Sequence, residues 1–190
     1  MTELVHLHKT FEKVVYTGQS VRSREFENCI FKNCDFTNSA FLSSTFMDCE
    51  FVDCNLSMLE LAGSSLKNVS FKNCKLLGIA FHTCDDFLFQ VEFENCVLDF
   101  SSFANKKMPK TRFVESALKE TSFEGTHLKQ SVFEKCDLSR AIFNHADVSE
   151  CNFTTSYNYQ IDPEHTILKK ARFSLQGIPG LLEKYDIKII

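Results

Sequence analysis

A large apolar residue recurs at every fifth position along most of this 190-residue chain. From Phe11 the steps fall on Tyr16, Val21, Phe26, Phe31, Phe36, Phe41, Phe46, Phe51, Leu56, Leu61, Leu66, Phe71, Leu76 and Phe81. The next step lands on Asp86. The pattern resumes two residues late at Leu88 and continues through Phe93, Leu98, Phe103, Met108, Phe113, Leu118, Phe123, Leu128, Phe133, Leu138, Phe143, Val148 and Phe153. Asn158 and Pro163 interrupt it before Leu168 and Phe173 rejoin. No single regular element has this period: five helical steps rotate a side chain by about 140°, and five strand steps flip it to the opposite face. The chain must therefore turn within each repeat. The residue two before each large one is mostly small, as at Cys29, Cys34, Ser39, Ser44, Cys49, Cys54, Ser116, Thr121, Ser131, Cys136, Ala141 and Cys151. Two apart on an extended segment is the same face, so both point inward and the remaining three residues carry the turn.

Residue size shows how many such sides close one coil. At a spacing of twenty, Phe93, Phe113, Phe133, Phe153 and Phe173 form one column, Phe103, Phe123 and Phe143 a second, and Leu98, Leu118 and Leu138 a third. Four sides then repeat as Leu, Phe, Leu, Phe, with neighbouring coils about 4.8 Å apart along the backbone hydrogen bonds.

The repeat resembles that of the pentapeptide-repeat family, whose unit is a small residue, Asn or Asp, Leu or Phe, and two variable positions. The stretches CDFTN at 34–38, CDLSR at 136–140 and ADVSE at 146–150 are close copies. The resemblance covers roughly residues 10 to 173 and implies an all-β solenoid, a right-handed quadrilateral parallel β-helix. The periodicity itself does not show the hand.

Eight of the nine cysteines, Cys29, Cys34, Cys49, Cys54, Cys74, Cys96, Cys136 and Cys151, occupy the small inward position, and Cys84 falls where it would lie had the first phase continued. Columns such as Cys34, Cys54 and Cys74 approach disulfide range, but stacked residues have parallel Cβ directions that suit the bridging torsion poorly. They read as small buried apolar residues, with disulfide or metal binding as the weaker alternatives. MTELVHLHKTF contains no cleavable signal and no run of eighteen apolar residues occurs, so a cytoplasmic chain with reduced thiols is expected.

Five parts follow. Residues 1–20 carry weak repeat signal and are expected to form an irregular first coil that caps the N-terminal end. Residues 21–81 form a first β-helical segment, 82–87 the register break, 88–173 a second segment, and 174–190 a C-terminal cap. At the break Asp85 and Asp86 replace an inward residue, which predicts a bulge that offsets one stack from the other. In the last part Pro179 suits the first turn of a short helix, GLLEKY reads as amphipathic, and IKII as a closing strand. Quinolone-resistance (Qnr-type) members of the family end similarly and dimerise through that tail. By this resemblance Leu181, Leu182, Ile187, Ile189 and Ile190 are the expected interface of a homodimer.

Enzyme signatures are missing: there is no Gly-rich phosphate loop, HExxH, GxSxG or CxxC. His6 and His8 read as surface polar residues of the N-terminal cap, and His82, His127, His145 and His165 fall at outward or loop positions. A non-enzymatic binding protein without cofactor or metal is expected. Asn28, Asn33, Asn38, Asn68, Asn73, Asn95 and Asn105 recur just after the wall, where Asn suits tight turns and bonds to nearby backbone.

Charge is unevenly placed. No Lys or Arg occurs between Lys75 and Lys106, a stretch holding Asp85, Asp86, Glu92, Glu94 and Asp99; Lys106, Lys107, Lys110 and Arg112 follow at once. The net charge of −4 argues against direct nucleic-acid binding. Resemblance to the Qnr-type members implies a DNA mimic, with those acidic residues standing in for phosphates on a type II topoisomerase, DNA gyrase or topoisomerase IV. The other reading is a general intracellular interaction scaffold. Qnr-type loops have no counterpart between Phe93 and Phe153; only the two-residue slip and 154–167 have room to protrude.

Overall fold

The computed structural model describes residues 3–190. Short parallel strands stack coil upon coil as a right-handed, four-sided β-helix. Side one carries β1 (Val5–Leu7), β4 (Glu25–Glu27), β7 (Thr45–Met47) and β9 (Ser65–Lys67). Side two carries β2 (Thr10–Glu12), β5 (Ile30–Lys32), β8 (Glu50–Val52), β10 (Val69–Lys72), β11 (Val91–Glu94), β12 (Arg112–Val114) and β13 (Val132–Glu134). Side three is held by isolated bridges such as Asp35 to Asn55, and side four by β3 (Ser20–Arg22), β6 (Ala40–Leu42) and further bridges. Pairs are twenty residues apart, as in Phe31 with Phe51, except across the slip, where Phe71 pairs with Phe93.

The inward aromatics form a continuous core. On side two the rings of Phe11, Phe31, Phe51, Phe71, Phe93, Phe113, Phe133, Phe153 and Phe173 stack at centroid spacings of 4.5–5.3 Å. On side four Phe81, Phe103, Phe123 and Phe143 stack likewise, and the two columns meet edge to face across the interior, as Phe113 meets Phe123 at 5.6 Å. The expected offset between two stacks is not present. Phe71 lies flat on Phe93 at 5.3 Å, because the two additional residues leave the wall as a bulge and do not shift the coil above.

All nine cysteines are buried and unbridged. The inward position has a second requirement besides size. Cys54 Sγ donates to Phe31 O, Thr121 Oγ1 to Leu98 O at 3.0 Å, Thr126 Oγ1 to Phe103 O at 2.9 Å and Ser156 Oγ to Phe133 O at 2.8 Å. A small donor there satisfies a buried carbonyl of the coil below, which is why Cys, Ser and Thr interchange in the repeat. Burial pushes the thiols of Cys49, Cys84 and Cys151 up to about 12 and that of Cys136 up to about 11. Native protein should therefore react slowly with a thiol reagent at pH 8, whereas denatured protein should titrate nine thiols; fewer, or bound zinc, would contradict the core assignment. A raised thiol pKa stabilises the fold below the ordinary value near 9 and is lost as pH rises from there toward 12, so thermal stability should fall over that window.

At the corners Asn28, Asn33, Asn38, Asn68, Asn73, Asn95 and Asn105 take left-handed φ of 50–60°, which Asn tolerates better than most residues. The expected bonds to nearby backbone are replaced by side-chain bonds between coils: Asn73 Nδ2 donates to Asp53 Oδ1 and Asn95 Nδ2 to Asn73 Oδ1, both at 2.9 Å, forming a ladder from coil to coil.

Four further expectations change. The N-terminal coil is regular, because β1 pairs with β4 and His6 lies one repeat before Phe11. His6 is only 3% exposed, stacks on Phe26 at 4.8 Å and meets Phe11 edge-on, so it is a core residue and not a surface one. Burial, then Lys9, holds its pKa below the usual imidazole value. The segment 154–167 stays in the wall, since Tyr159 and Ile161 turn inward, and Pro163–His165 form an exposed turn. At the C-terminus Pro179 opens α1 (Pro179–Leu182), followed by a 3-10 turn over Glu183–Tyr185, but IKII forms no strand. Gly177 is required in this cap: a Cβ there would lie 1.7 Å from the buried Tyr159 hydroxyl.

Candidate functional site

The acidic residues expected to act together are spread over three sides. Asp85 and Asp86 lie on the bulge beside side one, Glu92 and Glu94 point outward from β11 on side two, and Asp99 belongs to side three. Asp85 accepts from the Phe87 amide at 3.1 Å and the Ser65 hydroxyl at 3.1 Å; these bonds hold its carboxyl below the usual range. Asp99 Oδ1 accepts from the Lys119 amide at 2.9 Å, which ties it to the coil above. Glu92 and Glu94 are exposed and make no ion pair among the described residues, and Arg112 stands one coil beyond Glu92. The acidic group is thus a belt around the middle of the rod, and not a stripe along it.

Lys106 does not belong to the exposed basic run. It occupies the inward position two before Met108 and is 1% exposed. Its ammonium donates to Cys84 O at 2.5 Å and Asp86 Oδ1 at 2.7 Å, and lies 4.9 Å from the Phe89 ring centre. In the regular coils the carbonyl of this inward residue accepts a backbone amide from the next coil, as Ser64 O does from Asp85 N and Lys106 O from His127 N, both at 2.8 Å; at the bulge the Lys106 ammonium takes that place on Cys84 O. The phase of the repeat marks this position as inward; only the bulge explains why a cation sits there. Above it, Phe87 and Leu88 are exposed.

Elsewhere on the outer wall, cations pair with carboxylates one coil away. Lys72 meets Glu50 at 3.5 Å, Lys119 meets Asp137 at 3.5 Å, Lys129 meets Glu150 at 3.5 Å, Lys135 meets Glu115 at 2.7 Å, and Arg140 meets Glu120. Such exposed pairs contribute at most about 1 kcal/mol each and chiefly reduce the charge available to a partner.

Of the tail residues, Leu181 packs against the core and Leu182 is half-buried, while Ile187, Ile189 and Ile190 are exposed. Leu182, Ile187 and Ile189 line a cleft of about 590 Å³ together with Arg140, Tyr159 and Asp186. Among the described residues no group of three or more His, Cys, Asp or Glu is placed to hold a metal ion, and no helix is long and apolar enough to cross a membrane.

The fold has known counterparts. Full-length QnrB1, a plasmid-mediated fluoroquinolone resistance protein, is similar in structure, with a TM-score of 0.54 at 19% identity over 96% of this chain and 100% of that one. A trypsin-treated variant of QnrB1 gives 0.56 at 19% identity over 95% and 100%. At such identities the likeness is one of fold. No curated protein matches the chain. The family model described as a pentapeptide repeat region matches residues 24–85 and 87–157, breaking at the bulge itself, and with most of its length accounted for in this way the chain belongs to the pentapeptide-repeat family.

Proposed function

We propose that this chain is a non-enzymatic binding rod whose partner is a type II topoisomerase, DNA gyrase or topoisomerase IV, which it modulates or shields from quinolones. The observation that supports the reading is its likeness in fold to QnrB1 over 96% of this chain and 100% of that one. The acidic belt of Asp85, Asp86, Glu92, Glu94 and Asp99 supplies the charge that would replace DNA phosphates. Two copies joined through the exposed tail residues, with Leu182 at the edge of their cleft, would extend the rod on a two-fold axis like that of its partner. Nine buried, unbridged thiols suit a reducing cytoplasm.

A supercoiling assay with purified gyrase, with and without a fluoroquinolone, tests the partner. Altered supercoiling or restored activity under drug is expected, and no effect at micromolar protein overturns it. Light scattering should give about twice the 21.8 kDa of one chain; a monomer removes the dimer. The interaction-scaffold reading is favoured by one observation, the spread of the acidic residues over three sides, and gains if gyrase does not respond.

A further inference from the structure

The whole-chain charge of −4 averages over two unlike halves of the rod. Along the edge between sides one and two, the coil just beyond the acidic belt carries Lys107, Lys110 and Arg112, all exposed. Three coils farther on, the same edge carries Lys169, Lys170 and Arg172, also exposed. Two of the three positions in each row match in register, while Lys107 and Lys169 stand in neighbouring columns. Lys110 and Lys170 both hold the left-handed corner position, at φ of 60° and 59°, and Arg112 and Arg172 belong to one column, linked by the bridges Arg112 to Val132, Val132 to Asn152 and Asn152 to Arg172.

Among the described residues none of these six cations has an ion-pair partner, although the intervening coils neutralise theirs. Lys129 meets Glu150 at 3.5 Å, and Gln130 Nε2 donates to Glu150 Oε2 at 2.9 Å. The edge therefore presents two basic rows about 14 Å apart, three ladder spacings, flanking a strip in which Lys129 faces two carboxylates, Glu150 and Asp147, and which carries no net positive charge. A major groove is roughly 12 Å wide with a line of phosphates on each rim. We propose that the two rows clamp the phosphate strands of a B-form DNA duplex, one row on each side of a groove, with the paired Lys129–Glu150 strip over the groove between. This contradicts the expectation drawn from net charge alone, and does not rest on the topoisomerase reading.

The test is fluorescence anisotropy of a labelled DNA duplex of mixed sequence, titrated with the full chain at 50 and 200 mM salt. Six phosphate contacts predict a log–log salt slope of about −5 and a roughly thousand-fold or greater loss of affinity between those conditions. The triple variants Lys107→Gln/Lys110→Gln/Arg112→Gln and Lys169→Gln/Lys170→Gln/Arg172→Gln should each flatten the slope by about 3. All six residues are exposed, so circular dichroism should be unchanged; should one variant fold poorly, the other tests its own row. Undetectable binding at 50 mM salt and tens of micromolar protein overturns the clamp. So does a slope insensitive to both variants, equal binding of single-stranded DNA, or equal capture of polyglutamate, which would mark a surface for acidic proteins.

Discussion

Phe133→Ala should lower the stability of the rod by about 3–5 kcal/mol, the range for deleting a fully enclosed ring and leaving a cavity. Phe133 has no exposed surface and lies between Phe113 at 4.8 Å and Phe153 at 4.7 Å, with Phe123 and Phe143 edge-on at 5.7 and 6.0 Å. Four aromatic neighbours on a hydrogen-bonded wall leave little room for collapse, so the upper part of the range applies. At roughly 2–4 °C per kcal/mol for a chain of this size, melting should fall by about 6–20 °C. Phe87→Ala is the internal comparison: the same deletion on a 66% exposed side chain should stay within about 0.5 kcal/mol. A Phe133→Ala protein that melts with the wild type would mean that the column is not the core.

Lys106→Ala should cost about 3–5 kcal/mol, because it leaves both a cavity and a buried carbonyl without a donor. Lys106→Met keeps most of the volume and isolates the second effect, with an expected loss of about 1–3 kcal/mol. Asp86→Asn should be close to neutral, since that carboxylate is 74% exposed and its pairing is screened by solvent. Denaturant titration ranks the three variants, and hydrogen exchange locates the effect: amides over residues 85–90 should lose protection in Lys106→Ala before those of β12. If Asp86→Asn proves as damaging as Lys106→Met, the ion pair anchors the bulge and the bond to Cys84 does not.

These two residues illustrate what the sequence alone determines. Phe133 could be assigned to a twenty-residue column from spacing, because in a coil of constant length every inward position stacks on its own kind, and side-chain size suffices to count the sides. The same arithmetic applies to the cysteines and the left-handed asparagines, and it extends to His6, five residues before Phe11, whose polarity concealed that it keeps the phase of the core. Tertiary structure decided what depends on which atom lies across the gap between coils. Lys106 keeps the inward phase, yet its buried role exists only because the bulge leaves the Cys84 carbonyl without the backbone amide that its counterparts accept in the regular coils. Neutralisation of Lys129 by Glu150, and the absence of an ion-pair partner for Lys110 and Lys170 among the described residues, depend on side chains about twenty residues apart in sequence that the wall brings within a few ångströms. The acidic belt was contiguous in sequence but divided among three sides, since each five-residue step turns the corner. At the C-terminus the β-branched IKII had strand composition but no paired coil edge, and composition alone does not make a strand.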